Sequence, residues 1–154
     1  MNFNLIAFLL TMVCCIVSWS IAGKTAMKND YIDWWKNLNH PKNSFMLKYM
    51  NIVGVIFYLV IGFVLYHLFV SKDIVPIFIA VGILLLNGFS PFFMYKTKNF
   101  KLIFIAFLSI PILVTVLIFL LIQSNIILSI MLIVYFLWLI FDMSYFYRLM
   151  KFNM

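Results

Sequence analysis

Five long apolar runs divide the chain: Leu5 to Ala22, Tyr49 to Val70, Ile74 to Tyr95, Leu102 to Gln123 and Ile126 to Tyr147. Each holds 18 to 22 residues, close to the ~20 that carry an α-helix across a ~30 Å hydrocarbon layer. Stretches such as Ile83-Leu84-Leu85-Leu86 do not alternate polar with apolar positions, so they do not read as strands of a membrane barrel. In lipid a segment has to satisfy its own backbone groups, and a helix does that. The polar breaks Ser71-Lys72-Asp73, Lys96 to Lys101 and Ser124-Asn125 are short. Links of this length set neighbouring helices antiparallel. The pattern predicts an all-α integral membrane bundle of five transmembrane helices, forming one domain over residues 1–154. Met1 to Asn4 contains no Lys or Arg, so the basic start of a cleaved signal is missing and the first run is read as a retained helix.

One connection is long. Gly23 to Lys48 separates the first two runs, and within it Asp30 to Leu38 reads as a short helix. Asn29 or Asp30 is placed to cap it, Asp33 lies in its first turn, and Pro41 ends the segment. An extended connection in an otherwise economical bundle is usually functional, as a lid is. No fixed-period repeat and no inverted duplication is present, and five helices do not divide into equal halves.

Composition removes the alternatives. The 154 residues are 67% hydrophobic and 10% charged, against about 45–50% and about 25% in ordinary soluble domains. So short a chain cannot hide that much apolar surface in a water-soluble core. The net charge of +7 falls in the connections. It is therefore read as an orientation signal and a contact for anionic lipid, with no nucleic-acid partner. Lys24, Lys28, Lys36, Lys42, Lys48, Lys96, Lys98, Lys101, Arg148 and Lys151 fall on one side, and Lys72 alone on the other. Because basic residues mark the cytoplasmic face, the N-terminus is expected outside, with the C-terminus and the long first connection cytoplasmic. The usage of Lys, Asn, Ile and Phe agrees with an AT-rich bacterial genome, and hence with a bacterial cell membrane.

Motifs for catalysis or metal binding are scarce. P-loop, GxSxG, HExxH and dinucleotide fingerprints are all absent. Cys14 and Cys15 are adjacent in an apolar run and match no metal or haem-attachment spacing. His40 and His67 fall on opposite sides and are read as loop and interfacial imidazoles rather than ligands of one metal. The aromatic residues, 19% of the chain, say more. Trp34 and Trp35 beside Tyr31 are either an interfacial belt anchoring the short helix or a lid laying indole rings over a ligand. In the last run Tyr135, Trp138, Asp142 and Tyr145 follow a 3, 4, 3 spacing, which places them on one helix face. Asp142 stands about 7.5 Å inside the end of that run, at 1.5 Å per residue. An acid there faces the bundle or a wet cavity, or is protonated; it marks a functional site, or else pairs with a lysine from the basic side or reaches the interface. Asn87 needs a partner on another helix or on a ligand. Pro91 and Pro111 sit inside apolar runs, where each frees a carbonyl and opens space in a bundle.

Together these segments resemble the TspO/translocator protein family, the tryptophan-rich sensory or peripheral benzodiazepine receptor proteins. Trp34-Trp35-Lys36-Asn37-Leu38-Asn39-His40-Pro41 is similar to the family's W-Y-x-x-L-x-K-P, with Trp35 in the Tyr position. Phe57-Tyr58 with Gly62 and Tyr66 resembles its second helix, and Leu86-Asn87-Gly88-Phe89-Ser90-Pro91-Phe92-Phe93 its L-N-x-x-W-S-P-x-F-F, one residue shorter. Tyr135-Phe136-Leu137-Trp138-Leu139-Ile140-Phe141 resembles P-Y-L-L-W-x-x-F. The chain is a divergent member by this resemblance. Lys42-Asn43-Ser44-Phe45-Met46 replaces a Pro- and Trp-rich segment, Gly54 a helix-two tryptophan, Val134 a proline, and Asp142 a small residue.

The resemblance implies a hydrophobic cavity among the five helices, roofed by the first connection, and in many members a homodimer. It implies a flat hydrophobic ligand of the porphyrin or sterol class, a tetrapyrrole being possible and no cofactor being required. Trp138, Tyr135 and Tyr58 are expected to stack on that ligand and Asn87 to hold its polar edges, while Trp34, Trp35 and Pro41 cover the mouth. Asp142 is expected to disfavour propionates and to favour a cationic or hydrogen-bond-donating ligand. Sensing or carriage is the leading expectation. The alternatives are light-dependent tetrapyrrole breakdown, for which the helix-two tryptophan is missing at Gly54, and a structural subunit with no ligand.

Overall fold

The computed structural model describes residues 3–41 and 45–154. Lys42 and the side chain of Lys48, both assigned above to the basic side, lie outside this description, as do Asn43 and Ser44.

The described chain is helical. It comprises α1 (Leu5–Ala26), α2 (Asn29–Lys36), α3 (Phe45–Ser71), α4 (Ile74–Thr97), α5 (Phe100–Leu121) and α6 (Ile126–Phe152). All but α2 are long and apolar enough to span a bilayer. Several helices overrun the apolar runs, because a helix keeps its backbone bonds after its side chains turn polar at the interface; α6 continues to Phe152. Asparagines set three of the starts. Asn4 accepts from the Ala7 amide, Asn99 from those of Lys101 and Leu102, and Asn125 from that of Leu128. The Asn99 cap moves the start of α5 to Phe100.

The short helix forms where the sequence places it, but starts differently. Lys28 is its N-cap residue and makes no side-chain capping bond. Asn29 and Asp30 lie inside the first turn, where the Asp30 carboxylate complements the positive end of the helix. Asp33 falls in the second turn. The helix stops at Lys36 with Asn37 as its C-cap, ahead of Pro41.

Neighbour contacts run α1–α3–α6–α5–α4 and back to α1, with α3 also touching α4 across the centre. At the end remote from α2 the interior is solid. Val64 and Leu65 of α3, Leu84 of α4, Val114 and Leu117 of α5 and Leu132 of α6 are all buried there. The α1–α4 crossing is close. A Cβ at Gly88 would lie 2.8 Å from the Ser18 carbonyl oxygen. The Ser18 hydroxyl donates to the Leu84 carbonyl at 2.7 Å. Its one proton is then used, so at 2.9 Å it accepts from the Tyr58 hydroxyl. This node ties α1, α3 and α4 together at the border between the packed half and the hollow half.

Candidate functional site

Towards α2 the packing opens into a chamber of two lobes. The lobe beside α3 encloses about 310 Å³, lined among others by Gly54, Tyr58, Asn87, Tyr135, Trp138 and Asp142. The lobe beneath α2 encloses about 430 Å³, lined among others by Tyr31, Trp35, Lys36, Met94, Phe107 and Phe146. Both lobes share Asn87, Ser90, Pro91, Leu139 and Asp142. Those residues form a waist between them. Each volume lies within the range of small-molecule sites, about 300–1,000 Å³.

A larger hollow lies elsewhere among the described residues. A groove of about 620 Å³ runs along α1 and α3, with Phe8, Thr11, Leu59 and Phe63 on its walls. Phe8, Leu59 and Phe63 are exposed on the outer surface, so in a bilayer lipid chains fill it. The chamber is the better candidate, because polar groups converge there.

Proline chemistry builds the waist. Pro91 has no N–H for the Asn87 carbonyl one turn before it. The Ser90 hydroxyl supplies the missing donor, at 2.8 Å from that oxygen. The Asn87 amide donates to the Ile83 carbonyl of its own helix at 3.0 Å, and the Tyr135 hydroxyl lies against the Asn87 side chain. Asn87 therefore serves its own helix first and keeps hydrogen-bonding capacity towards the chamber. Facing it on α6 is Asp142. Among the described residues no ion pair or hydrogen bond holds the Asp142 carboxylate.

The roof is fastened at several points. Rings of Tyr31 and Trp35 stack with 8° between planes. Trp34 turns towards α4 and α5, against Tyr95 at 6.2 Å and Phe100 at 6.4 Å between ring centres. Burial pushes the Tyr31 hydroxyl up to about 12. After α2 the His40 ring bonds the Trp35 carbonyl and the Tyr145 hydroxyl, each at 2.8 Å. A carbonyl can only accept, so Nε2 carries a proton. In the neutral imidazole Nδ1 then accepts from Tyr145. The Asn153 side chain pairs with the Asn39 backbone, accepting from its amide at 2.9 Å and donating to its carbonyl at 3.0 Å. The roof is thus bolted to the far end of α6.

Tyr58, Asn87, Tyr135, Trp138 and Asp142 come together around the α3-side lobe, and Trp35 joins Asn87 and Asp142 around the other. Trp34 and Pro41 belong to the roof but border neither lobe; Pro41 is buried beside His40. Tyr145 leaves the chamber face of α6 to hold His40. Sequence reasoning missed the His40–Tyr145 and Asn39–Asn153 pairs, since nothing local links such distant positions. Phe107 and Phe146 were missed because one phenylalanine in an apolar run looks like another. Ser90 could have been found from the proline that follows it. Among the described residues no three His, Cys, Asp or Glu side chains gather as a metal site.

A family model described as TspO/MBR matches residues 6–150, from the first turn of α1 to the last turns of α6. The chain belongs to the TspO/MBR family. Comparisons with curated proteins and with solved structures give no match. In this TspO/MBR protein two residues shape the α3-side lobe. Gly54 lines the α3-side lobe, and a Cβ built there meets nothing within 4 Å. The space beside its Cα is open. Asp142 brings a carboxylate into the same lobe.

Proposed function

We propose that this TspO/MBR protein binds a flat hydrophobic ligand of the porphyrin or sterol class in its two-lobed chamber, and acts as a sensor or carrier in the membrane. One observation carries this reading: two hollows of ligand size meet at a polar waist, Asn87 and Asp142, beneath a latched roof. Tyr58, Tyr135 and Trp138 offer aromatic faces to a flat ring system. Apolar walls with a few convergent polar groups are the usual make-up of such sites. The bundle ends nearest α2 carry Lys24, Lys96, Arg148 and Lys151, and the positive-inside rule sets that side in the cytoplasm. Gly54 leaves Trp138 without a facing indole on α3, which favours binding over light-dependent breakdown.

The test is a titration of the detergent-purified full chain with protoporphyrin dimethyl ester, which has no free propionate, and separately with a fluorescent sterol. Saturable tryptophan quenching, weakened by Trp138→Phe, is the expected result. Quenching that never saturates with either probe removes the reading. Bleaching of bound porphyrin under light, suppressed by Trp138→Phe, shows breakdown instead.

A further inference from the structure

Of the described side chains lining the α3-side lobe, Asp142 is the one with a carboxyl group. Its companions are aromatic or neutral: Phe57, Tyr58, Tyr135 and Trp138 provide ring faces, and Asn87 an amide. Lys36, the cation among the described lining residues, belongs to the other lobe and stands exposed on α2. No ion pair joins it to Asp142 among the described residues. A carboxylate in a membrane interior costs free energy unless a partner offsets it. Here the partner's place is a hollow rather than another side chain. Carboxylate plus ring faces is the chemistry that recognises an organic ammonium group, through an ion pair and through cation–π contacts.

We infer that the chamber selects hydrophobic amines: a flat ring system lies in the α3-side lobe and its ammonium group sits at the waist against Asp142. This rests on the ligand-binding reading above and narrows it. An ammonium beside the carboxylate leaves the lobe with no net charge. A carboxylate-bearing ligand would place two like charges in one small, poorly solvated space, which is unfavourable. Asp142 is thus a specificity-determining residue.

Three probes with one pyrene body separate the possibilities: 1-pyrenemethylamine, 1-pyrenemethanol and 1-pyrenecarboxylate. Each is titrated into the purified full chain in an uncharged detergent at neutral pH, and energy transfer from tryptophan to pyrene reports binding. The amine is expected to bind about tenfold more tightly than the alcohol, the scale of one desolvated charge pair, and the carboxylate most weakly. Asp142→Asn should erase the preference for the amine and raise affinity for the carboxylate, while Asp142→Glu retains the preference. Equal binding of amine and alcohol, or a preference that survives Asp142→Asn, overturns the inference and leaves the ligand-binding reading standing. Failure of all three probes to bind saturably also overturns the inference, while the ligand-binding reading stands or falls with the porphyrin and sterol titrations. A melting curve for each variant confirms that it is folded.

Discussion

His40 and Tyr145 stand 105 positions apart in the chain, yet the imidazole Nδ1 and the phenol oxygen meet at 2.8 Å. The contact joins the segment after α2 to the last turns of α6. It fixes the roof over the chamber more than it strengthens the bundle. Tyr145→Phe removes one hydrogen bond, on the order of 1 kcal/mol, whereas His40→Ala strands the Tyr145 hydroxyl in a buried place and costs about 1–3 kcal/mol. Tyr145 is only 2% exposed, so water does not replace the lost partner. Hydrogen exchange should show faster exchange of the α2 amides in both variants, more so in His40→Ala, with α4 and α5 unchanged. Equal acceleration in every helix would mean that the contact holds the whole bundle.

The roof should also loosen in alkali. The Tyr31 hydroxyl is pushed up to about 12 by burial, above its ordinary value of about 10. Its folded form therefore holds the proton more tightly than its unfolded form. The stabilisation is fully present below about pH 10 and is lost as pH rises towards 12. Fluorescence of Trp34 and Trp35 should change over that window and reverse on return to neutral pH. In Tyr31→Phe the change should be absent; if it persists unaltered, another group opens the roof.

Two glycines make opposite predictions from one substitution. At Gly88 a Cβ would lie 2.8 Å from the Ser18 carbonyl oxygen and 2.9 Å from its hydroxyl. Neither can retreat easily, since the oxygen is backbone and the hydroxyl holds Leu84 and Tyr58. Gly88→Ala should force α1 and α4 apart at a cost of about 1–3 kcal/mol. At Gly54 the same methyl enters open space, so Gly54→Ala should gain about 0.5–1 kcal/mol from the helix backbone. Melting temperatures of the two variants in one detergent should move in opposite directions.

These cases show what the chain discloses locally and what it does not. The five spanning helices were legible because each apolar run is long enough to require a helix in lipid. The chamber face of α6 was legible because Tyr135, Trp138 and Asp142 recur at helical spacing. Pairing across the fold was not. His40 reads as an ordinary loop imidazole until α6 brings Tyr145 to it, and Trp34 and Trp35 look equivalent until α2 folds. One then turns to Phe100 and the other to the lobe beneath the roof. Capping of α2 was misjudged because Asn29 is a favoured cap residue by type, yet the preceding turn from Met27 already presents Lys28 in an extended conformation.

Adding a large side chain to α3 tests whether Gly54 makes the room. Gly54 borders the α3-side lobe of about 310 Å³, and its Cβ direction is clear of other atoms. Gly54→Trp should therefore fold, with the indole lying in the lobe rather than against a neighbouring helix. It then competes for the space between Phe57, Tyr135 and Trp138 in which a flat ligand would stack. Affinity for a ligand filling that lobe should fall by about tenfold or more, the scale of lost ring contacts. Gly54→Ala should leave affinity nearly unchanged, since one methyl takes little of the volume. A Gly54→Trp protein that melts normally and binds protoporphyrin dimethyl ester undiminished would place the ligand in the lobe beneath α2. The Tyr31 and Trp35 rings would then be its stacking partners.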